Sequence, residues 1–467
     1  MQGQESPVSA EAAATRPTPV LDERHLGLSV VRLAWPVVVQ QVAYSAVQLV
    51  DTYLVGHLGE DSLAGLRLGG QVYWFCLAGM SAVGTGTIAV VARAAGAREM
   101  ARADTTVRTA LSLATVWGVV LALGLWFLSD WSLGMLGAEP EARRLGTQYL
   151  QASAIGMVFW SVLFAVNSAL QATGDTRTPM VIGLALNLVN VVVAYVLVNG
   201  SGPFPRLEVV GSGAGFTTAA IFGAVMGLAV LMSGRRAVRW RPLGGPPLDP
   251  HEAWRILRVG VPTGLEQGQF NIAFMLYTRI VASMGTTAVA AHGVTLAIQG
   301  LAFNAGFGIS VAASALVGQG LGARRPDLAE RAAYVATRYS LIVTVLVAVV
   351  LAAFGGQITS AFVAGEGAQE VVALGRKLLL IFAFAMPGLA VNLAFGGALR
   401  GAGDTRWVLA IVTFCNWVVR LVPAYFLAIV AGLGVPGAWA AAVLDINSRA
   451  LLLWLRFRQG RWKQMRV

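Results

Sequence analysis

Apolar residues in this chain form long unbroken runs, separated by short polar segments. Twelve runs can be marked off, at 29–57, 65–96, 106–128, 146–172, 179–199, 212–233, 256–284, 290–320, 331–354, 371–399, 407–431 and 436–456. An α-helix needs about 20 residues to cross bilayer hydrocarbon, and several runs exceed this, so tilted or bent spans are expected. A transmembrane β-barrel would show alternating segments of about 10 residues, and these runs do not alternate. The pattern predicts an all-α polytopic membrane protein with twelve transmembrane helices.

The twelve runs form two sets of six, and the second set repeats the first. Pro36, Thr52, Gly59, Gly96 and Arg98 return as Pro262, Thr278, Gly285, Gly322 and Arg324, each 226 positions later (262 − 36 = 226). Gly174-Asp175-Thr176-Arg177 returns as Gly403-Asp404-Thr405-Arg406 after 229 (403 − 174 = 229). Six spans bring the chain back to its starting side. Two such lobes enter in the same orientation and are related by a pseudo-two-fold axis along the membrane normal. A cleft between lobes of this kind can open to either side in turn, which is the architecture of a secondary transporter.

The expected division is a polar segment at 1–27, a first lobe at 28–235, a linker at 236–252, a second lobe at 253–457 and a basic tail at 458–467. Residues 1–27 lack the apolar core and small-residue cleavage site of a signal peptide, so the first span is expected to stay in the protein. Gly244-Gly245-Pro246-Pro247 cannot span a membrane and marks the linker. Asp249-Pro250 suits an N-cap and first turn leading into the seventh span.

Composition agrees with the pattern. With 56% hydrophobic and only 12% charged residues, and a mean hydropathy of +0.68, a soluble fold of this length could not cover its apolar surface. The 54 glycines fit helix packing in lipid, where close backbone approach replaces the hydrophobic driving force. Cys76 and Cys415 lie in apolar runs without metal-ligand spacing and read as filler.

The net charge of +11 would fit nucleic-acid binding only if it were pooled, and it is not. Arg93, Arg98, Arg102 and Arg108 flank the end of the second span, and Arg235, Arg236, Arg239 and Arg241 follow the sixth. Arg324, Arg325 and Arg331 follow the eighth, and Arg456, Arg458, Arg461, Lys463 and Arg466 close the chain. The intervening loops carry Glu60, Asp61, Glu139, Glu141, Glu208, Glu366 and Glu370 instead. This is the positive-inside pattern. It places both termini in the cytoplasm, predicts a multi-pass protein of the cytoplasmic (inner) membrane, and leaves no nucleic-acid role.

Only one repeat carries an aspartate deep in its first span. Asp51 follows Ala46-Val47-Gln48-Leu49-Val50, and its repeat equivalent is Tyr277 (277 − 51 = 226). A carboxylate at mid-bilayer costs about 3 kcal/mol on insertion scales and so usually faces the bundle interior or a wet cavity. Burial favours its neutral form, which makes Asp51 a candidate proton carrier. The alternative is a structural aspartate satisfied by hydroxyls and amides.

Polar residues at lipid depth in the same lobe offer it a network: Gln40, Gln41, Tyr44, Gln48, Tyr149, Asn167, Asn187, Asn190, Thr217 and Thr218. Singly, each reads as interhelical packing glue. Pro36, without an amide hydrogen, is a candidate hinge in the first span, biased by the state of Asp51. In the second lobe Glu266 aligns with Gln40 and not with Asp51. It is a candidate contact for a cationic substrate or ion, or a partner of Arg279 or a nearby amide. Arg420, Asp445 and Arg449 are expected to pair internally, while His57 and His292, near run ends, are expected to be solvated. Tyr73-Trp74-Phe75 and Met80 read as packing or as the lining of a tolerant cavity.

The stretch from Pro36 to Gly59, ending Val50-Asp51-Thr52-Tyr53-Leu54-Val55-Gly56-His57-Leu58-Gly59, resembles the first-helix signature of multidrug and toxic compound extrusion (MATE) transporters. Val91-Ala92-Arg93 through Gly96 and both Gly-Asp-Thr-Arg loops resemble that family too, and the likeness covers about residues 28–455. The lone acid in the first span looks like the DinF-like branch. The resemblance implies an antiporter that expels amphipathic or cationic small molecules against inward protons, with sodium as the alternative ion and no other cofactor or metal. It implies Asp51 as coupling acid, supported by Tyr149, Asn167, Asn190 and Thr218. Many DinF-like relatives carry a second aspartate four residues after the asparagine matching Asn190, where this chain has Ala194. Asp51 would then act with neutral partners.

The expected partners are the transported molecules and membrane lipid, with the protein acting as a monomer. A lipid-linked precursor flippase of the same superfamily would need more cationic residues facing its cavity. An enzyme would need a constellation such as His-Glu-x-x-His, Gly-x-Ser-x-Gly with partners or a P-loop, and none occurs. A channel or receptor leaves the duplication and the lone acid unexplained.

Overall fold

The computed structural model describes Glu23 and residues 25–200, 203–241, 244–363 and 368–465. The polar segment at 1–27 therefore lies almost wholly outside the described residues, as do Glu366 and Arg466.

Among the described residues, twelve long helical elements follow one another. The first six are α1 (Leu26–Gly56), α2 (Glu60–Gly96), α3 (Met100–Met135), α4 (Pro140–Ala172), α5 (Arg177–Asn199) and α6 (Glu208–Met232). The others are α7 (Pro250–Ala282), α8 (Thr286–Gly322), α9 (Pro326–Ser360), the pair α10 (Ala368–Ala383 and Met386–Ala402), α11 (Thr405–Val430) and α12 (Gly434–Arg458). Ten single helices are long and apolar enough to cross a bilayer, and the α10 pair makes an eleventh. The remaining helix, α7, has 33 residues but includes Glu252, Arg255, Arg258, Glu266 and Arg279, and joins the set by length and by its alignment with α1. Several helices outrun their apolar cores: α3 begins at Met100 and α9 at Pro326, where polar first turns project beyond the apolar stretch.

Two elements depart from the sequence expectation of regular spans. α10 breaks by 50° between Ala383 and Met386, just ahead of Pro387. Proline lacks the amide hydrogen and disfavours helical geometry in the residue before it. α11 widens into π-helix at Cys415–Leu421 and again at Phe426–Val430. Single-turn π-bulges of this kind recur at functional sites.

The connecting turns preserve the duplication. Among the described residues, three non-glycine residues have positive φ, and two of them are the repeat-equivalent Arg98 (φ 63°) and Arg324 (φ 57°). The Gly-Asp-Thr-Arg loops turn on Gly174 (φ 87°) and Gly403 (φ 86°), a left-handed region that costs glycine little. Their aspartates then diverge. Asp175 accepts from the Thr178 amide (3.0 Å) and hydroxyl (2.7 Å) and meets the half-exposed Arg236 at 3.4 Å, whereas buried Asp404 pairs with buried Arg456 Nε at 2.7 Å. The proposed cap also forms: Asp249 Oδ1 accepts from the amides of His251 and Glu252 at the start of α7.

The chain divides into two compact units that do not follow the sequence division at 28–235 and 253–457. One comprises Val39–Val261 and Gly318–Arg324; the other comprises the described part of Asp22–Val38, with Pro262–Val317 and Arg325–Val467. Helices α1 and α7 therefore change unit part-way along, next to Pro36 and at Pro262. Glycines make the exchange sterically feasible. In the first unit a Cβ at Gly260 would collide with the Ala82 carbonyl, and in the second a Cβ at Gly308 would crowd that of Ala34. These two contacts are the same contact under the 226-residue shift (82 + 226 = 308; 34 + 226 = 260).

The linker is strapped to the first unit. Ser112 donates to the Pro247 carbonyl at 2.6 Å and Asp104 accepts from the Arg239 amide at 2.7 Å. Glu252 accepts from Arg102 (3.0 Å), Thr106 (2.9 Å) and Arg255 (2.8 Å). The basic tail is not free either. Arg461–Gln464 forms a short 3-10 turn, Trp462 is buried and stacks on Phe457 with centroids 4.6 Å apart, and Lys463 bonds Glu330 at 2.6 Å.

Candidate functional site

Helical spacing decides which way Asp51 points. Val47, Leu54 and Val55, at i−4, i+3 and i+4, are all buried. Leu49 and Tyr53 on the opposite side are 72% and 66% exposed. The inward stripe packs at two places: Val55 clusters with Leu66 of α2, Leu145 of α4 and Val209 of α6, and Leu54 clusters with Ala194 and Val198 of α5. Asp51 thus faces the helices of the first unit and turns away from the exposed side of α1.

Its surroundings are aromatic and neutral. Tyr44 and Tyr149 lie within electrostatic range of the carboxyl. Tyr73 of α2 lies within range of both tyrosines and packs edge-on against Phe216 of α6 at 5.2 Å. Trp160 of α4 bridges Tyr44 (6.1 Å) and Phe216 (5.6 Å). No salt bridge to Asp51 is formed among the described residues, and its buried Oδ1 has no hydrogen-bond partner. The phenol of Tyr73 and the indole N–H of Trp160 are equally unpartnered. Trp160 and Phe216 sit within ordinary apolar runs and carry no local pattern that marks them for this cluster.

The expected network is only partly gathered here. Gln40 packs against Gly183 of α5, and Thr217 donates to the Ala152 carbonyl at 2.7 Å, tying α6 to α4. Thr218 is exposed and closes back on Ala214 of its own helix. Asn187 and Asn190 are buried, and the Oδ1 atoms of Asn167 and Asn190 are unpartnered; no hydrogen bond joins them to Asp51 among the described residues. α1 continues as helix through Pro36. Ala194 is fully buried with its Cβ 2.9 Å from where a side chain on Gly215 would begin. Close packing of α5 on α6 at this point relies on the absence of a side chain at Gly215.

The second unit is arranged differently. Glu266, expected to meet a cationic substrate, an ion, Arg279 or an amide, instead pairs with Arg400. Asp445 pairs with Arg420 (2.6 Å) and Arg449 (2.8 Å), as expected for these three. His292, expected to be solvated, is buried and accepts from Trp439 Nε1 through Nδ1 at 3.2 Å. His57 is exposed, with Nδ1 2.7 Å from the Tyr53 carbonyl. Of the aromatic segment, Tyr73 is buried with Met80, while Trp74 and Phe75 are exposed.

A lone inward acid in one half and paired charges in the other, on duplicated six-helix halves, are features to set beside known proteins. The MatE family model matches residues 36–196 and 262–426, one match in each repeat. The chain belongs to the MATE family. Curated relatives of this MATE protein include probable multidrug resistance proteins NorM. That of Deinococcus radiodurans is 32% identical over 95% of this chain and 97% of its own length. That of Thermotoga maritima is 28% identical over 94% and 93%. Among solved structures, a MOP superfamily transporter from Pyrococcus furiosus superposes with a TM-score of 0.88 at 22% identity, covering 97% of this chain and all of that one. A MATE transporter of Vibrio cholerae gives 0.85 at 19%, covering 94% and 97%. At those identities the structures establish the shared fold. As a MATE member the chain is a multi-pass membrane transporter and not an enzyme.

Proposed function

We propose that the protein is a secondary active multidrug efflux antiporter of the cytoplasmic membrane, with both termini cytoplasmic, acting as a monomer. It exports amphipathic or cationic small molecules in exchange for inward protons by alternating access, and Asp51 is the coupling acid. One observation carries this reading: an inward-facing carboxyl in the first unit, without a cationic partner and with an unpartnered buried oxygen. A carboxyl so placed gains or loses a proton with no ion pair to break, and each state demands different partners from Tyr44 and Tyr149. The NorM relatives support the substrate class, and the single first-helix acid supports placement in the DinF-like branch.

Sodium coupling has less support. The acid that favoured it, Glu266, is committed to Arg400, and Asp51 alone offers few of the six or so oxygens a hard cation gathers. The test is uptake of a fluorescent cationic dye into inverted vesicles under an imposed pH gradient, first without sodium and then with it. Proton-driven accumulation that Asp51→Asn abolishes is the expected outcome. Uptake driven by sodium alone, or undiminished in Asp51→Asn, would remove the coupling assignment.

A further inference from the structure

One cluster buried in the second unit, Asp445 with Arg420 and Arg449, holds more positive than negative charge. The unit's buried carboxylates each have an arginine: Glu266 has Arg400 and Asp404 has Arg456. Asp445, fully buried, serves two, Arg420 and Arg449, which are 5% and 6% exposed. Guanidinium stays protonated in proteins. The triad therefore carries one formal positive charge that no side chain of the unit balances.

The hydrogen bonds show the same imbalance. Both oxygens of Asp445 are engaged: Oδ2 accepts from Arg420 at 2.6 Å, and Arg449 Nη2 reaches Oδ1 and Oδ2 at 2.8 and 2.9 Å. Arg449 also donates to Asn416 Oδ1 (2.7 Å), and Asn416 and Trp417 both donate to Gln269 Oε1 (3.4 and 3.1 Å). Each of these oxygens, on Asp445, Asn416 and Gln269, already accepts at least one hydrogen bond. What remains unpartnered is Nε of Arg420, Nε of Arg449, the amide nitrogen of Gln269 and the hydroxyl of Tyr277. Three are pure donors and the fourth can donate.

Two alternatives to a ligand fall short in magnitude. Arg420 lies over the rings of Phe270 (5.9 Å) and Tyr277 (5.8 Å), and a desolvated cation–π contact returns about 2 kcal/mol. An uncompensated buried charge costs several kcal/mol. The arginines are also not needed as mutual glue, since Asp445 and Arg449 would form a neutral i,i+4 pair without Arg420. The helix that presents Arg420 and Asn416 does so from the π-helical stretch Cys415–Leu421, an irregularity that a packing role does not require.

We infer that Arg420 and Arg449, with Gln269 and Tyr277, form a binding site in the second unit for the carboxylate or sulfonate group of an aromatic organic anion. Phe270 and Tyr277 supply flat apolar faces beside the guanidinium, and the charge-assisted donors supply the anion's partners. The compounds handled by this protein then include aromatic anions and zwitterions as well as the cations of the proposed function; that these anions are cargo rests on the transport reading, whereas the site itself does not.

The test measures binding of 1-naphthoate to the full chain in phosphatidylcholine nanodiscs without any ion gradient, with methyl 1-naphthoate as the uncharged control. Naphthoate is expected to bind at least tenfold more tightly than the ester. Arg420→Gln, which leaves the Asp445–Arg449 pair intact, is expected to weaken naphthoate at least tenfold and leave the ester unchanged. Asp445→Asn removes the competing negative charge and is expected to tighten naphthoate, a direction that a purely structural triad does not produce. Equal binding of acid and ester, or naphthoate binding indifferent to Arg420→Gln, would overturn the site. Asp51→Asn is expected to bind naphthoate normally. Loss of proton-driven transport in that variant with naphthoate binding kept separates the two readings, and failure of either leaves the other standing.

Discussion

At one position along their leading helices the two repeats differ by a single functional group, and the difference spreads through each unit. Asp51 stands within range of tyrosines, without a cation; at the equivalent place Tyr277 lies against Arg420, and the buried carboxylates of that unit are held by arginines. A carboxyl locked to guanidinium is poorly placed to trade a proton, because releasing the pair leaves a buried charge behind. A carboxyl among neutral donors is free to change state. Duplication supplied two equal scaffolds, and they now hold charge in opposite ways.

The sharpest way to break this comparison is to move the acid. Asp51→Asn is expected to reduce dye accumulation in inverted vesicles to the level of vesicles lacking the protein, with normal membrane insertion by immunoblot. The double variant Asp51→Asn/Tyr277→Asp is expected to stay inactive, since an aspartate there would be captured by Arg420. Recovery of transport would mean the two halves are interchangeable.

Stability should divide the units the other way. Asp445→Ala strands two buried arginines and is expected to cost about 3–5 kcal/mol, read as a lowered thermal midpoint of the purified protein; Asp51→Asn should leave that midpoint unchanged or raise it. Glu266→Gln is expected to cost about 1–3 kcal/mol, the scale of a hydrogen bond to a charged group, and to leave the preference among cationic dyes unaltered. A changed preference would return Glu266 to substrate contact. Trp439→Phe, which removes the bond to His292 Nδ1 and shrinks a buried ring packed on Phe382, is expected to cost about 1–3 kcal/mol in the same assay.

The lengths of the apolar runs and the two offsets of 226 and 229 made the helices, their number and the duplication readable in advance, because lipid imposes the first and common ancestry the second. Asp51 was readable because a lone acid in an apolar run has few explanations. Its aromatic neighbours were not, since Tyr73, Trp160 and Phe216 come from three helices whose rotation no one-dimensional pattern fixes. The pairing of Glu266 with Arg400 joins residues 134 positions apart, beyond any local rule. The break before Pro387 had its signal in the proline itself, while the π-helical stretches of α11 had none, as widened turns have no distinctive residue type.

The exchange of leading segments by α1 and α7 bears on how the molecule is made. A ribosome that has delivered only the first six helices has inserted a bundle still missing one of its walls, because the portion of α7 ending at Val261 belongs to it. That wall arrives only after the linker has been synthesised. The first half is completed only when Gly318–Arg324 at the end of α8 has also been made, whereas the second half draws on a segment of α1 already in place and is complete once α12 enters the membrane.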